Sequence, residues 1–178
     1  MLAPTVARTN VVLMLHAGTP LRAGTIASLA GLPRQVAVSA LDTLERRGVA
    51  RRVRRLDHDE YEPDRDSPHF PAAHLAALAD LPLDEALADE RVDAVFAYGS
   101  LATPGAAGPE SDLDLLVIGR VRDPRQVSAR LQELGARLGR AVDAIFLTPE
   151  QVREARETGD PHVASALEGL RIRGTWSA

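Results

Sequence analysis

Four residues of this chain have types and spacing suited to phosphate and metal chemistry: Gly99 and Ser100, then Asp112 and Asp114. Side chains of a β-strand alternate between two faces, so Asp112 and Asp114 would project to the same face of one strand. Gly99 and Ser100 follow an apolar run that ends at Tyr98, and they offer an anion a close backbone approach and a hydroxyl. Two neighbouring carboxylates favour a bound cation. The pattern therefore predicts a site for a triphosphate bridged by Mg²⁺.

A third acid, Asp143, lies farther along the chain. The amphipathic stretch 124–140 separates an apolar run at 113–118 from a second apolar run at 141–147. This order predicts strand, helix and strand, a crossover that places two parallel strands in one sheet. Asp143 interrupts the second run, and a charge there is unfavourable unless a metal or a partner group meets it. We therefore expect Asp143 to be the third metal-side carboxylate.

The five residues together resemble a known family, the minimal nucleotidyltransferases of the DNA polymerase beta superfamily. That family's pattern is Gly-Ser, a short spacer, Asp-x-Asp, and then a distant single Asp on a neighbouring strand. Gly99, Ser100, Asp112, Asp114 and Asp143 occupy these positions. The resemblance extends from residue 81 to the C-terminus. Many relatives carry arginines just after Gly-Ser, whereas residues 101–108 contain none.

The resemblance implies Mg²⁺-dependent transfer of a nucleoside monophosphate from a nucleoside triphosphate, expected to be ATP, to a hydroxyl of a protein or RNA acceptor. Asp112 and Asp114 would then be shared metal ligands, and Asp143 would ligate the metal that activates the acceptor. Ser100 and the amides around Gly99 would hold the β- and γ-phosphates. Relatives often act as antitoxins that modify a partner toxin, so a toxin protein is a candidate partner.

The first 65 residues have a different pattern. Apolar spacing and turn residues predict helices at 5–15, 25–30 and 33–47, a strand at 49–56, a turn at 57–59 and a return strand at 60–62. Val36, Ala40, Leu41 and Leu44 are expected to face inward from the third helix. Helices followed by a β-hairpin resemble the winged helix-turn-helix domains of bacterial regulators.

In such a domain the third helix enters the major groove by its N-terminal part. We expect base or phosphate contacts from this helix and phosphate contacts from the first hairpin strand, which would add affinity without sequence information. The candidate DNA-binding residues are Arg34, Gln35, Ser39, Arg51, Arg52, Arg54 and Arg55.

Charge is divided unevenly along the chain. All 21 basic residues are arginines, and nine of them lie in residues 1–56 against two acids, which gives this segment a net charge of +7. The remainder has twelve arginines and 23 acids. A basic segment in an acidic protein indicates a separate anionic partner, with DNA favoured. The alternatives are a solvated basic face, a surface that docks on the acidic remainder, and a protein-binding module.

Composition sets further bounds. The chain has no cysteine, which excludes disulfides, thiol nucleophiles and cysteine-ligated zinc. It has no long apolar run and no signal-like beginning, so we expect a cytoplasmic protein that does not bind membranes. The segment 63–71 is rich in proline and charge and is expected to be an extended linker. A helix beginning near His74 is expected to open the second domain.

The sequence thus predicts an α/β (α+β) protein with a winged helix-turn-helix domain at 1–66, a linker and the start of a helix at 67–80, and a nucleotidyltransferase domain with a mixed sheet at 81–178. Three functions remain open. The first is a nucleotide-transferring enzyme that carries a DNA-binding domain. The second is a DNA-binding regulator or antitoxin whose second domain only senses nucleotide. The third is an interaction module that uses no nucleotide, and a homodimer is compatible with all three.

Overall fold

The computed structural model describes residues 2–88 and 90–176. The chain divides into two compact units. Unit 1 comprises residues 1–81 and 104–110, and unit 2 comprises residues 82–103 and 111–178. No helix in the described ranges has the length and apolar character needed to cross a membrane.

Unit 1 contains four helices and a small antiparallel sheet with strand order β1-β3-β2. The helices are α1 (Pro4–Leu15), α2 (Ala23–Leu29), α3 (Arg34–Arg46) and α4 (Phe70–Ala79), and the strands are β1 (Leu21–Arg22), β2 (Ala50–Arg54) and β3 (Asp59–Pro63).

Helix α3 shows how local sequence builds unit 1. Ala37, Ala40, Leu41 and Leu44 are buried at helical spacing, and the helix stops before Gly48, whose φ of 64° is readily adopted by glycine. The inward face was predicted nearly correctly, because Ala37 is fully buried and Val36 is only partly buried. The short strand β1 was not predicted. It pairs with β3 through Leu21 and Arg22, and two residues are too few to produce a periodic signal.

The segment predicted to be an extended linker is partly structured. Pro63 closes β3 as a buried residue, and α4 begins at Phe70. Helix α4 packs against α1, and the Asn10 side-chain amide donates a 2.9 Å hydrogen bond to the Ala73 carbonyl. The helix that was expected to open the second domain therefore lies in unit 1. Its sequence is apolar on all sides, so periodicity could not indicate which neighbour it would contact.

Unit 2 is a four-stranded mixed sheet with order β6-β5-β4-β7 and accompanying helices. Strand β4 is antiparallel to β5 and to β7, while β5 and β6 are parallel. The strands are β4 (Arg91–Tyr98), β5 (Leu113–Arg120), β6 (Val142–Leu147) and β7 (Leu170–Gly174), and the helices are α5 (Gly99–Ala102), α6 (Pro124–Leu138), α7 (Pro149–Thr158) and α8 (Pro161–Leu167).

The predicted strand–helix–strand crossover is confirmed by β5, α6 and β6. Asp123 caps α6 by accepting hydrogen bonds from the Arg125 and Gln126 amides, and Gly139 ends it in the left-handed conformation. On one face of the sheet, Leu116 and Ile118 pack in a core with residues of α7 and α8. Leu113, Leu115 and Val117 are also buried and alternate with that set, so they project to the opposite layer.

Candidate active site

Three residues form a row across neighbouring strands at one edge of the sheet in unit 2. Tyr98, the last residue of β4, lies directly opposite Asp114 on β5, and Asp114 lies directly opposite Asp143 on β6. Side chains that face each other across paired strands project to the same side of the sheet. The fold therefore brings two of the three predicted acids to adjacent positions and adds a tyrosine beside them.

Gly99 allows the backbone to pass close to the central carboxylate. It has a φ of 73°, and a Cβ atom placed there would overlap Asp114 Oδ2. A side chain at this position would therefore collide with the carboxylate and would also strain the backbone. Glycine is favoured here because it avoids the backbone strain and leaves the Asp114 carboxylate in place.

Two hydroxyl groups meet beside this glycine. Ser100 is exposed, and its Oγ donates a 2.9 Å hydrogen bond to Ser111 Oγ. The Arg140 guanidinium is buried and donates to the Ser111 carbonyl oxygen at 3.4 Å. Sequence reasoning assigned no role to Ser111 or Arg140. The position of Ser111 directly before Asp112 was the only available signal, and nothing in the sequence pointed to Arg140.

The carboxylates influence one another electrostatically. The pKa of Asp114 is raised above its usual value, first by partial burial and then by the negative charges of Asp112 and Asp143. The pKa of Tyr98 is raised as well, by burial and by the charges of Asp114 and Asp143. A cation at this edge would relieve the repulsion that both shifts report.

The donor set fits Mg²⁺. Within the described ranges, no three histidine or acidic side chains are close enough together to form a ready-made metal cage. Mg²⁺ does not need one, because it commonly takes one or two carboxylates and completes its octahedron with phosphate oxygens and water. The repulsion felt at Asp114, together with a set of oxygen donors, is compatible with that mode of binding.

The positions of the two outer acids differ from the expectation. Asp112 precedes the first residue of β5 and is exposed. Asp143 is also exposed, because β6 is an edge strand and Asp143 and Ile145 both lie on an open part of it. The argument that Asp143 sits unfavourably in a buried run was therefore wrong. Its position opposite Asp114, rather than burial, is what connects it to the site.

The predicted DNA-binding residues on α3 lie on the surface of unit 1. Arg34, Gln35 and Ser39 are exposed in the first half of the helix. They were predicted to contact bases or phosphates, and their exposure leaves them free to do so.

Most of the hairpin arginines already have acidic partners. Arg51 pairs with Glu62 at 2.7 Å and Arg55 pairs with Glu60 at 2.8 Å. Arg54 is exposed and forms no ion pair with the described residues. Arg52 is the most engaged, because it bonds to Asp42 at 2.9 Å, Glu45 at 3.0 Å and Asp59 at 3.3 Å and lies 5.2 Å from the Tyr61 ring centroid.

The return strand explains this pairing. Glu62 and Asp59 of β3 lie opposite Arg51 and Arg54 of β2. When the acids of residues 57–66 are included, residues 1–66 contain ten arginines and eight acids. The net charge of +7 counted to residue 56 is therefore largely balanced within the same unit.

A comparison with protein-family models shows the family of this chain. The family model described as a nucleotidyltransferase domain matches residues 83–172, so the chain belongs to this family. The matched range contains Gly99, Ser100, Asp112, Asp114 and Asp143. No curated protein and no solved structure matches the chain at a significant level. The family relationship assigns nucleotidyl transfer as the general activity and a nucleotide as substrate.

Proposed function

We propose that unit 2 is a Mg²⁺-dependent nucleotidyltransferase that moves a nucleoside monophosphate from a triphosphate, with ATP as the expected nucleotide, to a hydroxyl of a protein or RNA. The observation that carries this proposal is the row of Tyr98, Asp114 and Asp143 beside Gly99. It combines close backbone approach with carboxylates that repel one another and face the same side of the sheet.

Asp112, Asp114 and Asp143 are the residues that would hold Mg²⁺. When bound, Mg²⁺ would neutralise the charge that develops on the phosphates and keep the attacking and leaving oxygens in line. Residues of this chain would bind and orient the phosphates. Ser100 Oγ and the backbone amides around Gly99 would donate to phosphate oxygens. With a phosphate bound, Ser111 would donate its own hydroxyl hydrogen to Ser100 Oγ, the reverse of the direction in the structure, and so leave the single Ser100 O–H for the phosphate.

Asp143 would activate the acceptor. Because its carboxylate is exposed at the edge strand, a hydroxyl of a large partner can reach it. An Asp143 carboxylate oxygen would take the hydroxyl proton while the acceptor oxygen forms a bond to the α-phosphorus. The bond from that phosphorus to the bridging oxygen breaks, and pyrophosphate leaves with the bonding electrons.

A labelling experiment tests this assignment. The full chain would be incubated with Mg²⁺, each α-³²P-labelled nucleoside triphosphate and candidate protein and RNA acceptors. Asp143→Asn should bind nucleotide nearly as well as the parent but transfer it at least about 100-fold more slowly, because a proton acceptor and a metal ligand are lost. The matched control is Asp93→Asn, an exposed acid on β4 outside the row, which should leave the rate unchanged.

Two results would contradict the proposal. Equal transfer rates in Asp143→Asn and the parent would remove the role of Asp143. A parent protein that labels no acceptor but still binds nucleotide would favour a domain that only senses nucleotide.

A second candidate function rests on unit 1. We infer that unit 1 is a winged helix-turn-helix domain that binds DNA, because α3 presents Arg34, Gln35 and Ser39 to solvent and a β-hairpin follows it. On this alternative the protein is a DNA-binding regulator or antitoxin, with a partner toxin and a second copy of the chain as candidate partners. Arg51, Arg52 and Arg55 already have acidic partners. Arg54 would therefore be the principal phosphate contact of the hairpin.

Gel-shift titrations of the full chain at several salt concentrations test this alternative. Arg54→Ala should reduce the slope of log affinity against log salt by about 0.9, since one phosphate contact is lost. Replacing Arg34 or Gln35 should relax discrimination between sequences. Arg8→Ala, an exposed arginine of α1, is the control. An absence of duplex binding at low salt would eliminate the regulator and leave unit 1 as a protein-binding module.

A further inference from the structure

A cleft in unit 1 lies among α1, α3 and α4, and we refer to it as the α4 cleft. It has a volume of about 560 Å³, which is within the range of small-molecule sites. Its walls are mainly apolar and include Leu44, Val49, Ala73 and Ala76. None of the residues that form the predicted DNA-binding or nucleotide-binding sites lines it.

Asn10 lines this cleft and has an unsatisfied side-chain oxygen. The Asn10 side chain is fully buried and lines the cleft. Its amide nitrogen donates to the Ala73 carbonyl at 2.9 Å, but its Oδ1 atom has no hydrogen-bond partner among the described residues. A buried acceptor without a donor is unfavourable and needs a physical reason. An N–H or O–H group of a bound molecule would satisfy it after a small side-chain movement that exposes the buried oxygen to the cleft.

The charge at the cleft has one sign. Its charged lining residues are Arg46 and Arg47, and none of its described lining residues is acidic. Arg46 is held to its own helix through the Asp42 carbonyl and Thr43 Oγ1. Arg47, in contrast, forms no ion pair or hydrogen bond through its guanidinium with a described residue and is exposed. A free guanidinium beside an apolar wall suits an anionic group on an apolar body.

We propose that the α4 cleft binds a small organic anion that has an apolar ring or chain and a hydrogen-bond donor. The apolar body would lie against α4 and the C-terminal part of α3. The anionic group would pair with Arg47, and the donor would meet Asn10 Oδ1. The site is separate from nucleotide transfer and does not depend on it.

The dye 8-anilinonaphthalene-1-sulfonate is a suitable probe, because it combines fused rings, a sulfonate and an N–H group. Its fluorescence would be titrated with the full chain. Arg47→Ala should weaken binding at least about fivefold, since the sulfonate loses its partner. Ala72→Trp, at an exposed position that lines the cleft, should weaken binding at least about tenfold by filling the space.

Two matched variants control for general effects on charge and surface. Arg8→Ala removes an exposed arginine of the same unit, and Ala79→Trp adds an indole at an exposed position of the same helix; neither residue lines the cleft. Both should bind the dye within twofold of the parent.

Asn10 is tested with a pair of probes. Asn10→Leu should weaken binding of the anilino dye at least threefold and leave the affinity for naphthalene-1-sulfonate, which lacks the N–H group, unchanged. Loss of affinity for both probes by the same factor would contradict the role of Asn10 Oδ1. Because Ala72 is exposed, the Ala72→Trp result decides the proposal even if Asn10→Leu folds poorly.

Two further outcomes would overturn the proposal. Unchanged dye affinity in both Arg47→Ala and Ala72→Trp would mean an adventitious additive only, bound elsewhere. A parent that sediments as a dimer and becomes a monomer with Ala72→Trp would show that a second copy of the chain covers the cleft.

Discussion

Gly99 affects both the local backbone conformation and the position of the Asp114 carboxylate in the proposed site. The left-handed φ of 73° and the overlap of an added Cβ with Asp114 Oδ2 each disfavour a side chain at this position. The first acts through the backbone alone, and the second acts on the carboxylate at the centre of the row. A comparison with Gly105 distinguishes the effect of backbone strain from the effect on the carboxylate.

Gly99→Ala should weaken Mg²⁺-ATP binding at least about tenfold, because the new methyl group displaces the Asp114 carboxylate. Gly105→Ala is the matched control, since Gly105 has a φ of 84° but no atom within 4 Å of an added Cβ. Both variants should lose about 1–2 kcal/mol of unfolding free energy from backbone strain. Calorimetry and thermal unfolding would measure the two quantities. Equal ATP affinities in the two variants would contradict the role of Gly99.

Part of this site could be predicted from residue types and spacing. The alternation of a strand and the crossover were enough to place Asp114 and Asp143 near each other. The spacing could not indicate that Tyr98 completes the row, because register between strands is set by the packed sheet. It also could not indicate that Arg140, far from Ser111 in sequence, donates to the Ser111 carbonyl.

In the hairpin of β2 and β3, strand pairing changes how the arginines of β2 are to be interpreted. A run of arginines on β2 indicated phosphate contacts when it was considered alone. In the sheet, Arg51 lies opposite Glu62 and forms an ion pair with it, and the Arg52 side chain reaches Asp59 on β3 and Asp42 and Glu45 on α3. Pairing therefore converts part of a basic surface into an internal ion-pair network.

Arg52→Ala should lower the unfolding free energy by about 1–2 kcal/mol, because it removes three ion pairs and a contact with the Tyr61 ring at one partly buried point. Arg54→Ala should change stability by no more than about 0.5 kcal/mol, as expected for an exposed side chain without partners. Urea unfolding of the full chain would measure both. A larger loss in Arg54→Ala than in Arg52→Ala would show that the network does not stabilise the hairpin.

Several elements could be located from the sequence because their signals are local. The starts and ends of α1, α2 and α3 lie within a few residues of the predicted bounds. The strand β1 and the placement of α4 depend on contacts with distant segments. Local propensity contains no information about those contacts.

At the scale of the whole molecule, the chain combines two units with different charge and different expected ligands. Unit 2 belongs to the nucleotidyltransferase domain family through residues 83–172. Unit 1 has the exposed residues of α3 for one proposed ligand and the α4 cleft for another. The central claim concerns unit 2, where three acids and Gly99 are proposed to bind Mg²⁺ and a triphosphate.

Isothermal titration of Mg²⁺-ATP into the full chain tests that claim most directly. Asp112→Asn and Asp114→Asn should each weaken binding at least about tenfold, since each removes a carboxylate charge facing the metal. Asp93→Asn should bind as the parent does, and thermal unfolding would confirm that all variants are folded. Unchanged Mg²⁺-ATP affinity in both Asp112→Asn and Asp114→Asn would contradict the assignment of this site.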